Sequence, residues 1–185
     1  ELSLGALHLP ATIAAVIGLP HVAGGSWPSE PFERGLIGAV EGIRGRHSQA
    51  VELCERAVAH ATAAGDAYLT TRALIGLATA LHQAGRVDQA QSRIEAALAY
   101  ARRAGYRVLE GQARTVLAAL HLARNDAGRA ATEAEEAAAI HRMTGHLPGL
   151  AHTLRLLARL VEEPRAGSCK QEAESGNRDV LLRAN

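Results

Sequence analysis

The sequence has few of the residues that commonly fill a protein core. Aromatic residues make up 3% of the 185 residues, while hydrophobic residues of all kinds make up 48%. A core of this composition must therefore consist mostly of Ala, Leu, Val and Ile. Alanine has the highest intrinsic helix propensity, and small side chains let helices approach closely. The composition indicates a helical protein, as one domain or as a short array of repeats.

Cysteine is also scarce. Cys54 and Cys169 are the only two, which is too few for a disulfide framework, and they lack CxxC spacing. We interpret Cys54 as a small buried thiol within a helix. This usage suits a reducing compartment, so we expect a cytoplasmic location.

Neither sign of charge dominates, and no long hydrophobic run is present. Twenty basic and nineteen acidic residues leave a formal charge of +1, so no overall field draws the chain to nucleic acid or to an anionic membrane. Residues 2–23 are rather apolar, but Pro10 and Pro20 interrupt them and no basic segment precedes them. This argues against a signal peptide or membrane span. Because the chain begins at Glu1 and not at Met, we interpret it as a fragment or processed product.

Motifs for catalysis, cofactors and metals are missing. The sequence contains neither a phosphate-binding glycine motif nor a nucleophile elbow, and the glycine-rich stretch Gly35–Gly42 falls in a poor helix. The nine histidines include no HxxxH pair, and His141, His146 and His152 are not spaced to share a helical face. His121 is interpreted as a packed, hydrogen-bonded residue. We therefore expect no enzyme activity, no cofactor and no metal.

What the sequence does contain is a repeat. Gly65, Gly105 and Gly145 stand 40 residues apart, and each interval holds an apolar helical run, a polar break and a second Ala-rich run. Fixed self-similarity of this length is typical of a helical repeat array. We predict an all-α, right-handed superhelix of about four helical hairpins, degenerate at both ends.

Helix positions follow from the apolar stripes. A first repeat is predicted with helix A at about Phe32–Arg44 and helix B at about Ser48–Ala64. Gly85 is expected to end a helix in the left-handed conformation, and Asn125 replaces glycine at the equivalent turn. The A-helix stripes recur at helical spacing as Leu74, Leu77, Ala78 and Leu81, then Ala113, Val116, Leu117 and Leu120, then Leu154, Leu157, Ala158 and Val161. The B-helix stripes are Ala90, Ile94, Ala97, Leu98 and Ala101, then Ala130, Ala134, Ala137 and Ile140.

Three segments are predicted. Residues 1–31 are interpreted as the end of a degenerate preceding repeat, with a helix at 8–19 and a loop, so that the fragment begins part-way through an array. Residues 32–163 form the repeat domain. Residues 164–185 form a polar C-terminal tail.

The residues that recur resemble a known family. Leu77-Ala78, Leu81, Gly85, Ala90, Ile94 and Ala97 resemble the tetratricopeptide repeat, which has small residues at its two helix-crossing positions, and Leu117-Ala118, Ala130, Ala134 and Ala137 repeat the pattern. Units longer than 34 residues are similar to those at the C-terminal ends of large bacterial transcription regulators, including actinobacterial antibiotic-regulatory activators and LuxR-type or maltose-activator-like regulators. The resemblance covers residues 32–163.

The resemblance implies a concave face lined by A-helix residues. Carried over by repeat offset, those residues are Arg72, Ile75, Thr79, His82 and Gln83, then Gln112, Thr115, Ala119 and Leu122, then His152, Arg155, Arg159 and Glu162, with Phe32, Leu36, Ala39 and Ile43 from the first repeat. The implied groove is apolar at one end and cationic at the other. Ile75 and Thr79 stand where chaperone-binding relatives carry Lys and Asn, so a chaperone-tail clamp is not expected.

Two interpretations of Arg72, Arg155 and Arg159 remain open. They are either a solvated face, with ion pairs to Glu162 and Glu163, or an anion-binding surface. The function we favour is a non-catalytic domain of a bacterial transcription regulator that senses a protein, a peptide or an acidic small molecule in its groove. The alternative is a free-standing scaffold for protein assembly. Open ends of the array would favour a homo-oligomer or docking on the parent protein.

Overall fold

The computed structural model describes Gly38 and residues 41–162, and within these residues every regular element is a helix. A helical turn at 41–43 comes first. It is followed by α1 (His47–Ala63), α2 (Ala67–Gln83), α3 (Val87–Ala104), α4 (Arg107–Ala123), α5 (Ala127–Thr144) and α6 (residues 147–162). Helices α2, α4 and α6 are the A helices, and α1, α3 and α5 are the B helices. The predicted all-α fold of helical hairpins is confirmed.

Some predictions concern other parts of the chain. The helix at 8–19, the groove residues Phe32, Leu36 and Ala39, and the tail at 164–185 lie outside the described residues, as do both predicted domain boundaries.

The turns between helices share one geometry. The helical turn at 41–43 and each of the helices α1 to α5 are followed by a residue with positive φ, and these residues recur every 20 positions as Gly45, Gly65, Gly85, Gly105, Asn125 and Gly145. The next amide then donates to a carbonyl five residues back, as Arg86 does to Leu81 at 2.9 Å. This is a Schellman turn, which satisfies a helix-end carbonyl and needs a residue that tolerates the left-handed region. The left-handed conformations predicted for Gly85 and Asn125 are confirmed.

Consecutive helices pack pairwise, and α2 also contacts α4, so the A helices lie side by side. The predicted crossing residues Ala78, Ala90 and Ala118 are fully buried. Leu77, Leu81 and Ile94 fill the space around them. None of the helices within residues 41–162 is long and apolar enough to cross a membrane.

One buried position in α4 is occupied by an ion-pair network. Arg114 stands at the repeat position of Leu74 and is buried. Its Nη1 atom lies 2.6 Å from Glu133 Oε2 and 2.5 Å from Glu136 Oε2, both on α5, and its Nε atom lies 3.6 Å from Glu110 Oε1. Arg114 is thus held among three carboxylates, and Glu110 among them is itself buried.

Most of the apolar stripe predicted on α6 lies on the surface, although Leu157 is partly buried and packs against the core. Leu154 is 43% exposed and Val161 is 58% exposed, whereas Thr153, Leu156 and Leu160 are buried. By repeat offset, the stripe corresponds to the A-helix face that a following B helix covers in the preceding hairpins. The inward face of α6 packs instead against Ala118, Ala130 and their neighbours in α4 and α5.

The crossing of α2 and α3 provides a test of the repeat register. Ala90→Leu should lower the free energy of unfolding by about 1–3 kcal/mol, because extra methylenes at a fully packed crossing force the helices apart. Urea denaturation followed by circular dichroism would measure the change. Ala99→Leu, at an exposed position of the same helix, is the control. An Ala90→Leu variant as stable as the control would contradict the register.

Candidate functional site

The predicted groove residues lie on the three A helices. Arg72, His82 and Gln112 are partly buried, whereas His152, Arg155, Arg159 and Gln83 are exposed. Arg72 lies one helical turn from Tyr68, whose hydroxyl is its hydrogen-bond partner. Burial lowers the pKa of the Arg72 guanidinium, and Tyr68 opposes that shift. Arginine remains charged at neutral pH even when it is partly buried, so Arg72 is a cation that is partly shielded from water.

One end of the A-helix side brings α2, α4 and the start of α6 together. Gln112 Nε2 lies 3.4 Å from His146 Nε2, and the backbone N–H of Gly149 donates to His146 Nδ1 at 3.1 Å. Burial lowers the pKa of His146, and the positive charge of Arg72 lowers it further. Two predicted residues, Arg72 and Gln112, therefore converge on His146, which the sequence did not identify as a groove residue.

The other end brings α2 and α6 together. Burial is the main cause that lowers the pKa of His82, and the second is the charge of Arg159. His152 is exposed over the residue as a whole, but partial removal of its ring from water, and then the charge of Arg155, lower its pKa. Three histidines thus each lie within electrostatic range of an arginine.

Three predicted groove residues, Ile75, Thr79 and Thr115, direct their side chains into the domain and not into the groove. Ile75 belongs to the hydrophobic core, and Thr79 Oγ1 donates to the Ile75 carbonyl at 2.9 Å. Thr115 is buried, donates to the Gly111 carbonyl at 2.9 Å and forms a 2.8 Å hydrogen bond with Thr153 of α6. The polar surface on this side is therefore supplied by arginine, histidine and glutamine, with the exposed Glu162 at the end of α6. Of the predicted first-repeat residues, Ile43 is 77% exposed.

Beneath this surface lies a buried histidine. His141 of α5 is fully buried, its ring centroid lies 5.1 Å from that of His146, and its Nε2 atom lies 3.4 Å from Thr115 Oγ1. Its Nδ1 atom makes no hydrogen bond of normal geometry. Burial, followed by the charge of His146, lowers the pKa of His141 to about 4, and the nearby Gly111 backbone offsets part of the shift.

The sequence analysis did not pair His141 with His146, because residues at this spacing do not share a helix face. The left-handed Gly145 folds the chain back between them, which brings the rings together. A signal was available in the repeat: His141 replaces Ala61 and Ala101, while Gly149 replaces Leu109. The B helix gains a large side chain at His141, and the A helix that follows loses one at Gly149, so the two changes compensate in size.

No group of three His, Cys, Asp or Glu residues within the described part of the chain could hold a metal ion. The convergent groups are hydrogen-bond donors and cations, which suit recognition of an anion.

Comparison with known proteins agrees with the helical-hairpin geometry. A family model described as tetratricopeptide repeat matches residues 34–103, a span that includes α1, α2 and nearly all of α3. No curated protein matched the sequence. Helices α4 and α5 continue the same 40-residue pattern beyond the matched span. The match supports a tetratricopeptide-repeat domain in this chain, a kind of domain that generally binds other proteins and is not catalytic.

Proposed function

We propose that the A-helix side of this domain binds an extended acidic segment of a partner protein. The observation that carries the proposal is the convergence of Arg72 and Gln112 on His146, with a second cation, Arg159, beside the neutral His82. Arginine binds carboxylates through two parallel hydrogen bonds, and partial burial strengthens such bonds. An acidic peptide supplies the matching groups.

The spacing of the two cationic groups suggests the spacing of the carboxylates. Arg72 and His82 are ten residues apart on α2, which corresponds to about 15 Å at 1.5 Å per residue. An extended peptide advances about 3.3 Å per residue. Two acidic side chains about four to five residues apart would therefore reach both groups together.

We further propose that the domain belongs to a bacterial transcription regulator, in which partner binding controls activity. The support is the 40-residue unit, which resembles the long repeats of such regulators. A free-standing scaffold for protein assembly is the second candidate, because the family match alone favours it equally. The coding sequence upstream of Glu1 distinguishes them: a DNA-binding or nucleotide-binding domain there supports the regulator, and further repeats alone support the scaffold.

The groove can be tested with a fluorescein-labelled peptide that carries two glutamates five residues apart. Arg155→Ala and Arg159→Ala should each weaken binding by about 10-fold, because the loss of one charge-assisted hydrogen bond costs about 1.4 kcal/mol or more. Fluorescence anisotropy at low salt gives the Kd. A peptide with glutamine in place of both glutamates should bind far more weakly.

Arg142→Ala is the matched control, because Arg142 is an exposed arginine at the end of the B helix α5. All variants should retain the wild-type circular dichroism spectrum. If Arg155→Ala and Arg159→Ala both bind like the control, these arginines are a solvated face and the groove assignment is wrong.

A further inference from the structure

His141 fills a gap between two A helices. A Cβ atom added to Gly111 of α4 would lie 2.8 Å from His141 Cε1, and one added to Gly149 of α6 would lie 2.7 Å from His141 Nδ1. Contacts this short do not occur, so the imidazole needs glycine on both sides. The ring therefore occupies the space between α4 and α6 at the point where both helices carry a glycine.

In the preceding repeat, the equivalent space between the helices is filled without a titratable group. Ala101 stands at the position of His141, and Leu109 stands at the position of Gly149. Both residues are buried. In the preceding repeat this space is filled by Leu109 of the A helix α4. In the last repeat it is filled by His141 of the B helix α5. At this position the docking of α4 is thus apolar, whereas α6, which also packs through Leu156 and Leu160, is seated on a histidine.

We propose that protonation of His141 releases α6 from α4 and α5. A buried cation is stable only when it is paired or well hydrogen-bonded. The groups that face His141 offer only neutral hydrogen-bond partners: the Gly111 backbone, and Thr115 of α4, whose hydroxyl is also bonded to Thr153 of α6. His146 and His152 act on it electrostatically and oppose a second positive charge.

No acidic side chain among the described residues appears in the electrostatic environment of His141. Arg72 of α2 is a further positive charge in this region, since it acts on His146. Every charged group around the ring is therefore a base or a cation. Because none of them can stabilise the imidazolium, it is fully stabilised only by water, which it reaches when α6 is released.

The direction of the pH effect follows from the two states of the histidine. In the docked state its pKa is lowered to about 4, whereas in the released state it returns to its ordinary value of about 6.5. Docking is thus strongest above pH 6.5 and weakens as the pH falls towards 4. Between pH 7.5 and pH 5 the equilibrium constant for release should rise about 30-fold.

Release would also affect the groove, since α6 carries Arg155 and Arg159. This consequence depends on the proposed function, whereas the docking of α6 does not. Titration of the exposed histidines alone would add cations and strengthen the binding of an acidic peptide. Release of α6 predicts the opposite, namely weaker binding at pH 5 than at pH 7.5.

Hydrogen exchange of the full chain, measured by mass spectrometry at pH 7.5 and pH 5 and corrected for the intrinsic rates, tests the proposal directly. In the wild type, the protection of α6 amides should fall about 30-fold at pH 5, while that of α2 amides should change little. In His141→Gln, which keeps a neutral polar side chain, the fall should be less than about 3-fold. His60→Gln, which removes an exposed histidine of α1, should behave like the wild type.

Constant α6 protection in the wild type would overturn the proposal, as would an equal fall in His141→Gln. If His141→Gln does not fold, His141→Leu provides the same test with an apolar side chain. Peptide binding is measured separately. Failure of the peptide to bind at either pH contradicts the proposed function and leaves the exchange result intact.

Discussion

Replacing Arg114 by alanine is expected to lower the free energy of unfolding by about 3–5 kcal/mol, the cost of removing one partner from a buried ion pair. The Arg114 side chain is 10% exposed and lies within 2.6 Å of carboxylate oxygens of Glu133 and Glu136. Glu110 is buried on the same side of the network. Without the guanidinium, Glu133 and Glu136 would lose this partner, and the buried Glu110 would be left with Arg102 and Arg107, which are both about half exposed.

Urea denaturation would measure this loss. Arg129→Ala is the matched control, since Arg129 also pairs with a carboxylate, Asp126, but is 75% exposed. Exposed ion pairs contribute about 1 kcal/mol or less. The double variant Glu110→Thr/Arg114→Leu, which restores the residues of the preceding repeat, should recover at least half of the loss, because apolar packing can replace a buried ion pair. A loss of less than 1 kcal/mol in Arg114→Ala would contradict the structural importance of the network.

Leu74→Ala should destabilise the domain by about 2–5 kcal/mol, through lost burial and the cavity left behind. Leu74 is 5% exposed and belongs to the main core. Leu154 stands 80 residues later at the same repeat position, yet is 43% exposed. Leu154→Ala makes the identical chemical change and should cost less than about 1 kcal/mol.

Thermal or urea unfolding of the two leucine variants gives a direct comparison. Equal losses would mean that Leu154 is covered in solution as completely as Leu74. That outcome would contradict the exposed stripe described for α6.

The repeat-scale features of this fold could be predicted from the sequence. The 40-residue glycine spacing predicted the turns, because the left-handed backbone conformation costs glycine little energy and costs asparagine less than most other residues. The recurring Ala78 and Ala118 predicted the helix crossings, because only small residues permit that approach. These features depend on local backbone preference and on residue size, and both are visible in a single sequence.

Differences between equivalent positions were harder to predict. Leu74, Arg114 and Leu154 share one repeat position, but they are respectively a core residue, the centre of an ion-pair network and a surface residue. What each side chain contacts depends on the helix that faces it. The apolar stripe pattern does not carry that information.

The candidate site shows the same limit. The repeat offset identified Arg72 and Gln112, but not His146, which belongs to a turn and not to an A-helix stripe. It also selected Thr115, whose hydroxyl is hydrogen-bonded inside the domain. The offset predicts the face on which a residue lies, whereas the partners of its polar atoms depend on neighbouring helices.

The even spacing of the left-handed residues also bears on how such a chain changes length over time. Gly85 and Asn125 are 40 residues apart and have the same turn geometry. A chain in which Gly85 was followed directly by Asp126 would still have an A helix, a left-handed turn and then a B helix. Unequal recombination within the gene can therefore add or delete 40 codons without requiring a new turn. A gain or loss of a single codon within a helix would instead rotate all later side chains of that helix by about 100°. The fold thus tolerates the gain or loss of a whole hairpin better than the gain or loss of a single residue within a helix.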